Sequence, residues 1–352
     1  MRILLAGCDS DDALGFAARA VRRALLRAGH TIELFDYRAR RVLPARRFDR
    51  LFALVRRLTR AGRLRRGLVG AQDLVMGRAL QARAARFDPA LVVVLKGDRI
   101  APAVVREVRA SRGIPVVNWF VDPIVDHRDL VERIAPAYDV FFTIDDLPPD
   151  EAARLGTRVV HLPTACDPEV HRPLPLSARD RARYSCDVCF VGRFGRRALA
   201  FHGLVDLRLH LWGPRLFDER LRRFHRGDGL WGDELAKQYG AARVVLNVHA
   251  AYERPEAEAA MYNVNPRLFE IAACEGFQLT DNRRQATRFF DEGTEIECFA
   301  SPDELRAKVL HYLRHDEARR RLAARAGDKA RRVHTYERRM ASLLATVKDT
   351  SA

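Results

Sequence analysis

Short apolar runs alternate with helical patterns from one end of this chain to the other. That alternation restricts it to a parallel sheet with helices on both faces. The first run is Arg2–Ala6, followed by a helical pattern over 13–28 that stops at Gly29. Further strands are expected at Ile32–Phe35, Leu91–Leu95, Pro115–Phe120, Val140–Thr143 and Arg158–Leu162, with a helix over Ala101–Ala110. Pro163, Pro168, Pro173 and Pro175 then interrupt the pattern and mark a linker. A second series follows, with strands at Asp187–Val191, Leu207–Leu211, Val244–Val248, Phe277–Thr280 and Glu295–Phe299. Its helices are expected at Pro266–Cys274, Pro302–Arg314, Glu317–Val333 and Thr335–Val347. A length of 352 residues, at roughly 150 per domain, also fits two domains. The expected division is 1–170, 171–334 and a closing helix and tail over 335–352. Two such α/β domains are expected to face each other across a cleft, with ligands at the carboxyl ends of the strands.

Composition excludes several classes. With 48% hydrophobic and 31% charged residues the chain is neither disordered nor fibrous. The longest clearly apolar stretch, Ala90 to Leu95, is too short to cross a bilayer. The opening run meets an acid at Asp9, which makes a poor signal peptide and a good first strand. A cytoplasmic location is therefore expected, and the six cysteines should be thiols. Cys186 and Cys189 form one C-x-x-C, but it leads into a strand, where residues three apart face opposite ways. No second pair follows, so they read as structural.

The net charge of +16 comes from 62 Lys+Arg, of which five are Lys. Between Tyr37 and Arg66 stand twelve Arg and one acid, Asp49, with Phe48, Leu51, Phe52, Val55 and Leu58 at helical spacing. This is a basic amphipathic helix in the Arg-rich 38–66 segment. It suits an anionic membrane surface at the inner face, or equally a surface helix whose Arg stems pack on the domain. No nucleic-acid motif accompanies it, and no base-stacking aromatics interleave the Arg, so specific nucleic acid is not expected as a partner.

The chain lacks G-x-G-x-x-G after its first strand, and it lacks a P-loop, G-x-S-x-G and H-E-x-x-H. Three segments carry chemistry instead. In Asn263-Val264-Asn265-Pro266-Arg267-Leu268-Phe269-Glu270, Asn265 is an N-cap and Pro266 suits the first helical position. The helix start suits a phosphate, Arg267 can add a bidentate contact, and Glu270 can accept hydrogen bonds from a ribose diol. The same residues also read as a capped helix with an Arg–Glu pair at i, i+3. In Val191-Gly192-Arg193-Phe194-Gly195-Arg196-Arg197, Gly192 permits close backbone approach, and Arg193 and Arg197 can hold phosphate oxygens. Asp122 ends the expected strand Pro115–Phe120 and is either a general base or a turn-forming Asp-Pro. Asp9-Ser10-Asp11-Asp12 resembles a metal-binding D-x-D but reads more simply as a helix N-cap.

These segments resemble the CgeB-type glycosyltransferase family. The matching pieces run in order: Phe190-Val191-Gly192, Leu211-Trp212-Gly213, Leu246-Asn247-Val248-His249, Asn265-Pro266-Arg267 through Cys274, Leu279-Thr280-Asp281, Phe289-Phe290 and His334-Thr335-Tyr336. In the first half Trp119 through Pro123 and Leu162 through Pro168 fit too. The resemblance implies a GT-B fold of two Rossmann-like domains. The acceptor site lies mainly in the first, the nucleotide-sugar site is in the second, and the last helix crosses back. It aligns Glu270 with a ribose-binding Glu. Another Glu, eight residues earlier in many relatives, is Tyr262 here, and the Lys paired with Arg in retaining relatives is not evident.

The implied activity is transfer of a sugar from a nucleotide-diphosphate donor to a hydroxyl-bearing acceptor, with no metal and no cofactor. Asp122 would be catalytic, and Gly192, Arg193, Arg197, Asn265, Arg267 and Glu270 would bind the donor. The alternative is a catalytically inactive GT-B scaffold that binds a nucleotide sugar or a polyanion. The membrane reading makes its own prediction. Binding to vesicles rich in anionic lipid should weaken as salt is added and disappear when Arg56, Arg57 and Arg60 become Gln. Salt-independent or absent binding in a sedimentation assay retires it.

Overall fold

The structure is a computed structural model that describes residues 1–10, 13–38, 62–214, 216–249, 262–281 and 283–351. The core of the Arg-rich segment, including Arg56, Arg57 and Arg60, lies outside the described residues, as do Asp11 and Asp12. Among the described residues no helix is long and apolar enough to cross a membrane. The chain divides into two units, Met1–Pro163 with Met340–Ala352, and Thr164–Arg339.

The first unit is built on a six-stranded sheet. Its strands are β1 (Arg2–Gly7), β2 (Thr31–Asp36), β3 (Leu91–Leu95), β4 (Val116–Phe120), β5 (Val140–Thr143) and β6 (Arg158–His161). They lie in the order β2-β1-β3-β4-β5-β6, and every pair is parallel. Strands covered on both faces read as continuous apolar runs, and β3 (LVVVL) is buried at every position. The exception within β4 is Asn118, whose Nδ2 donates to Lys96 O at 3.1 Å. Trp119 Nε1 donates to Leu162 O at 2.9 Å and ties the chain leaving β6 to the middle of the sheet.

The second unit holds β7 (Cys186–Val191), β8 (Leu209–Trp212), β9 (His225–Gly227), β10 (Ala242–Asn247), β11 (Gln278–Thr280) and β12 (Glu297–Cys298). Their order is β12-β11-β10-β7-β8-β9, again all parallel. From β7 the chain winds outward through β8 and β9, then returns to start the other half at β10. The strand order therefore reverses between β7 and β10, the kind of position where α/β sheets bind ligands. Gly192 and Gly213 follow β7 and β8, and a Cβ on Gly213 (φ +151°) would stand 1.7 Å from Gly192 O. The two strand ends approach backbone to backbone there, which only glycine allows.

One expectation is corrected. Cys186 and Cys189 share a core cluster with Val191, Trp212 and Tyr239, while Val188 and Phe190 belong to the cluster on the other face. Cys186 is the first residue of β7, where the alternation of faces is not yet imposed. All six cysteines are buried and outside any disulfide.

Behind the Arg267–Ala273 helix, His334 sits among Phe269, Phe289 and Phe290, with ring centroids 5.2, 5.7 and 5.2 Å away. Its Nε2 lies 3.3 Å from Phe289 O, and only a donor nitrogen suits that carbonyl. Burial, reinforced by the charge of Arg339, pushes the imidazole down to about 4. The unfolded chain takes up this proton near pH 6.5, whereas the native one resists until about pH 4. The stability held by neutral His334 is thus complete above about pH 6.5 and is lost as pH falls toward 4, on the order of 3 kcal/mol in all. Urea titrations of wild type and His334→Leu should show the wild-type advantage shrinking across that window. A constant difference would remove the assignment.

Candidate functional site

The second unit's site forms where β7 and β10 diverge. Asn247, the last residue of β10, accepts at Oδ1 a hydrogen bond from Asn265 Nδ2 at 2.8 Å. Asn265 Oδ1 in turn accepts from Leu268 N–H at 3.3 Å, so it caps the turn into the Arg267–Ala273 helix. Pro266, at φ −61° and ψ −23°, makes the turn itself. Leu268, Phe269, Ile271, Ala272 and Ala273 are buried and anchor this short helix, while Arg267 and Glu270 stand on its less buried side.

Arg267 and Glu270 are joined at 2.6 Å, so the i, i+3 pair does form. It is no ordinary surface pair, since the two side chains are only 18% and 15% exposed. The guanidinium lies 5.6 Å from the Trp231 ring centroid. Burial opposes its charge, but the groups beside it, Glu270 among them, outweigh that and hold Arg267 above the usual guanidinium range. Burial also holds the Tyr239 hydroxyl far above its usual range, so it stays protonated. On the other side of Glu270, His171 Nε2 stands 3.9 Å from Oε1. The Nδ1 of that ring accepts from Asp167 N–H at 3.0 Å, which leaves the ring proton on Nε2, facing the carboxylate. Glu270 is thus held by Arg267 and faced by His171. One nitrogen of the guanidinium expected to grip a diphosphate contacts Glu270.

Gly192 and Arg193 follow β7 directly, and Gly192 N–H donates to Trp212 O at 2.9 Å. Arg193 is exposed, while Arg197 is half-buried in the 3-10 segment Gly195–Leu204. Beyond β10, His249 and Asp281 form a buried pair with Nδ1 2.5 Å from Oδ1. Tyr262 lies 5.9 Å from the Arg284 guanidinium, measured to its ring centroid.

The first unit gathers a separate cluster at the ends of β3 and β4. Lys96 and Gly97 both take left-handed backbone, at φ +61° and +75°. For Lys96 this costs roughly 1–2 kcal/mol, a strain typical of functional positions. The turn brings Lys96 Nζ to 2.5 Å from Asp122 Oδ2 and 3.9 Å from Asp98 Oδ2. His127 Nε2 stands 3.5 Å from the same Asp122 oxygen. Arg38 and Tyr37 hold Asp98 from its other side at 3.1 and 3.2 Å. Asp122 is therefore not an isolated acid after a strand. It is one member of a group with an ammonium and an imidazole.

Sequence patterns single out Asp122, Asn265, Arg267 and Glu270 but miss Lys96, His127, His171, Trp231 and Tyr239, and they do not pair His249 with Asp281. For Lys96 a signal exists: Lys96-Gly97-Asp98 breaks off a wholly apolar strand. For His171 there is none, since its partner is distant in sequence.

Comparison with known proteins places these clusters in context. Residues 196–345 match the family model described as glycosyl transferase-like. The chain is 25% identical over 254 residues to spore protein CgeB of Bacillus subtilis (strain 168), covering 68% of this chain and 76% of that protein. Sucrose-phosphate synthase from Thermosynechococcus elongatus superposes with a TM-score of 0.68 at 14% identity, covering 99% of both chains. Anabaena HepE in complex with UDP and glucose gives 0.65 at 12% identity, covering 99% of this chain and 100% of that one. At such identities these likenesses establish the fold, which is GT-B.

Proposed function

We propose that this chain, a glycosyltransferase of the GT-B fold similar to CgeB, takes its sugar from a nucleoside-diphosphate donor and works without a metal ion. The observation that carries the reading is Glu270. Its carboxylate is held by Arg267 at 2.6 Å and faced by His171, at the point where the second sheet reverses its strand order. A fixed carboxylate there is suited to accept two hydrogen bonds from a ribose diol, and in this reading Arg267 serves to hold it in place. Arg193 and Arg197, just past β7, offset the charge that develops on the departing diphosphate, the work a metal would otherwise do. The complexes of HepE with UDP and with UDP-glucose support a nucleotide sugar as the ligand. Six buried cysteines, none in a disulfide, support a reducing, cytoplasmic setting.

In the first unit, Asp122 accepts the proton of the acceptor hydroxyl. Lys96 fixes its position and offsets its charge, with His127 beside it.

Two measurements test this. Thermal denaturation against UDP, ADP, GDP and dTDP, with EDTA present, should show stabilisation by one of them, about 2.7 kcal/mol at a hundred times its dissociation constant. Glu270→Gln keeps the side chain's shape beside Arg267 and should weaken that diphosphate by about 1–3 kcal/mol. Full affinity in a folded Gln variant would take Glu270 out of the site. Asp122→Asn should leave diphosphate affinity unchanged while cutting transfer by about a hundredfold or more. Equal loss of both would point to a damaged fold rather than a lost base.

A further inference from the structure

At the carboxyl ends of β10 and β11, three buried side-chain atoms have no hydrogen-bond partner among the described residues: Asn247 Nδ2, His249 Nε2 and Thr280 Oγ1. Asn247, His249 and Thr280 are each no more than 1% exposed. Native proteins seldom leave buried polar atoms unsatisfied, and a group of them at one place calls for an explanation. Asn247 and Thr280 are register partners on adjacent strands, so the unsatisfied atoms are neighbours in the sheet.

His249 is held more tightly than packing requires. Its backbone N–H donates to both Asp281 oxygens at 2.9 Å, and its Nδ1 lies 2.5 Å from Asp281 Oδ1. A carboxylate only accepts, so Nδ1 carries a proton, and in the neutral ring Nε2 then presents a lone pair. The pair reaches the surface at Asp281, whose side chain is 12% exposed. Two residues before His249, Asn247 joins Asn265 and thereby the turn that carries Glu270.

We infer that His249 is a contact for the glycosyl group of the donor. Its Nε2 accepts a hydrogen bond from a sugar hydroxyl, Asn247 Nδ2 donates to a second sugar oxygen, and Asp281 is the positioning residue that sets the ring's tautomer. An unprotonated phosphate is excluded by the same chemistry. It has no proton to give to Nε2, and the Asp281 charge lies one imidazole away. Hydroxyls, which both donate and accept, match an acceptor beside a donor.

The inference rests on the nucleotide-sugar reading above, and the test separates the two. Calorimetric titration compares a nucleoside diphosphate with its glucose ester, UDP with UDP-glucose first, then the ADP, GDP and dTDP pairs. His249→Ala should weaken the ester by about tenfold and leave the diphosphate within about threefold. Asp281→Asn should do the same, because an amide that donates toward Nδ1 forces the ring into the opposite tautomer and takes the lone pair from Nε2. Glu270→Gln should weaken ester and diphosphate alike. If His249→Ala fails to fold, His249→Gln and Asp281→Asn decide. An unchanged ratio of ester to diphosphate affinity in folded variants overturns the His249 assignment alone. Failure of every diphosphate to bind the wild type overturns the donor reading and this inference with it.

Discussion

A parallel strand covered by helices on both faces has almost nowhere to keep a polar side chain except its ends. That constraint shapes both units. Within β3 every position is buried and apolar, and the first polar side chain past its end is Lys96. In β10 the apolar run closes on Asn247, and His249 follows. The backbone leaving a buried strand also needs partners, because an unpaired N–H there is costly. Acids at the strand ends supply them: Asp145 accepts from Ile124 N–H at 2.8 Å, and Asp281 from His249 N–H at 2.9 Å. The acids that satisfy the backbone therefore gather where the strands end. In this architecture the site follows from how the sheet ends.

The same constraint explains what could be read in advance. Leu91–Leu95, Val140–Thr143 and Pro302–Arg314 form over the spans expected from their patterns, since apolar runs bounded by turn residues are local signals. Asn265 could be recognised as a cap because it needs only the chain three residues on. The strand β9, His225–Gly227, could not, since an edge strand of three residues buries too little to leave an apolar trace. Site partners were invisible for a different reason. Lys96 meets Asp122 only because β3 and β4 are neighbours in the sheet, and His249 meets Asp281 only because β10 adjoins β11. A single sequence shows which residues end strands but not which strands lie side by side.

Charge needs the same discrimination. Some arginines stand in exposed pairs such as Arg222–Glu219, whose side chains are 69% and 72% exposed and which contribute little to stability. The Arg267–Glu270 pair differs in kind. Half-buried ions lose much of their hydration, and their mutual attraction does not reliably repay the loss. What such a pair secures is orientation. Losing either partner would leave the other stranded beside Trp231 and Tyr239.

A common design runs through three acids, two just past strands and one on the Arg267–Ala273 helix. Asp122 stands between Lys96 and His127, Glu270 between Arg267 and His171, and Asp281 is held by the ring and backbone of His249. Each carboxylate is fixed by a cation or an imidazole before any ligand arrives. Groups oriented in advance spend no free energy reorganising when charge develops during reaction, which is the main source of electrostatic catalysis. A transfer that separates a sugar from a diphosphate moves charge over several bonds. An acid held in place in this way is suited to meet such charge without moving.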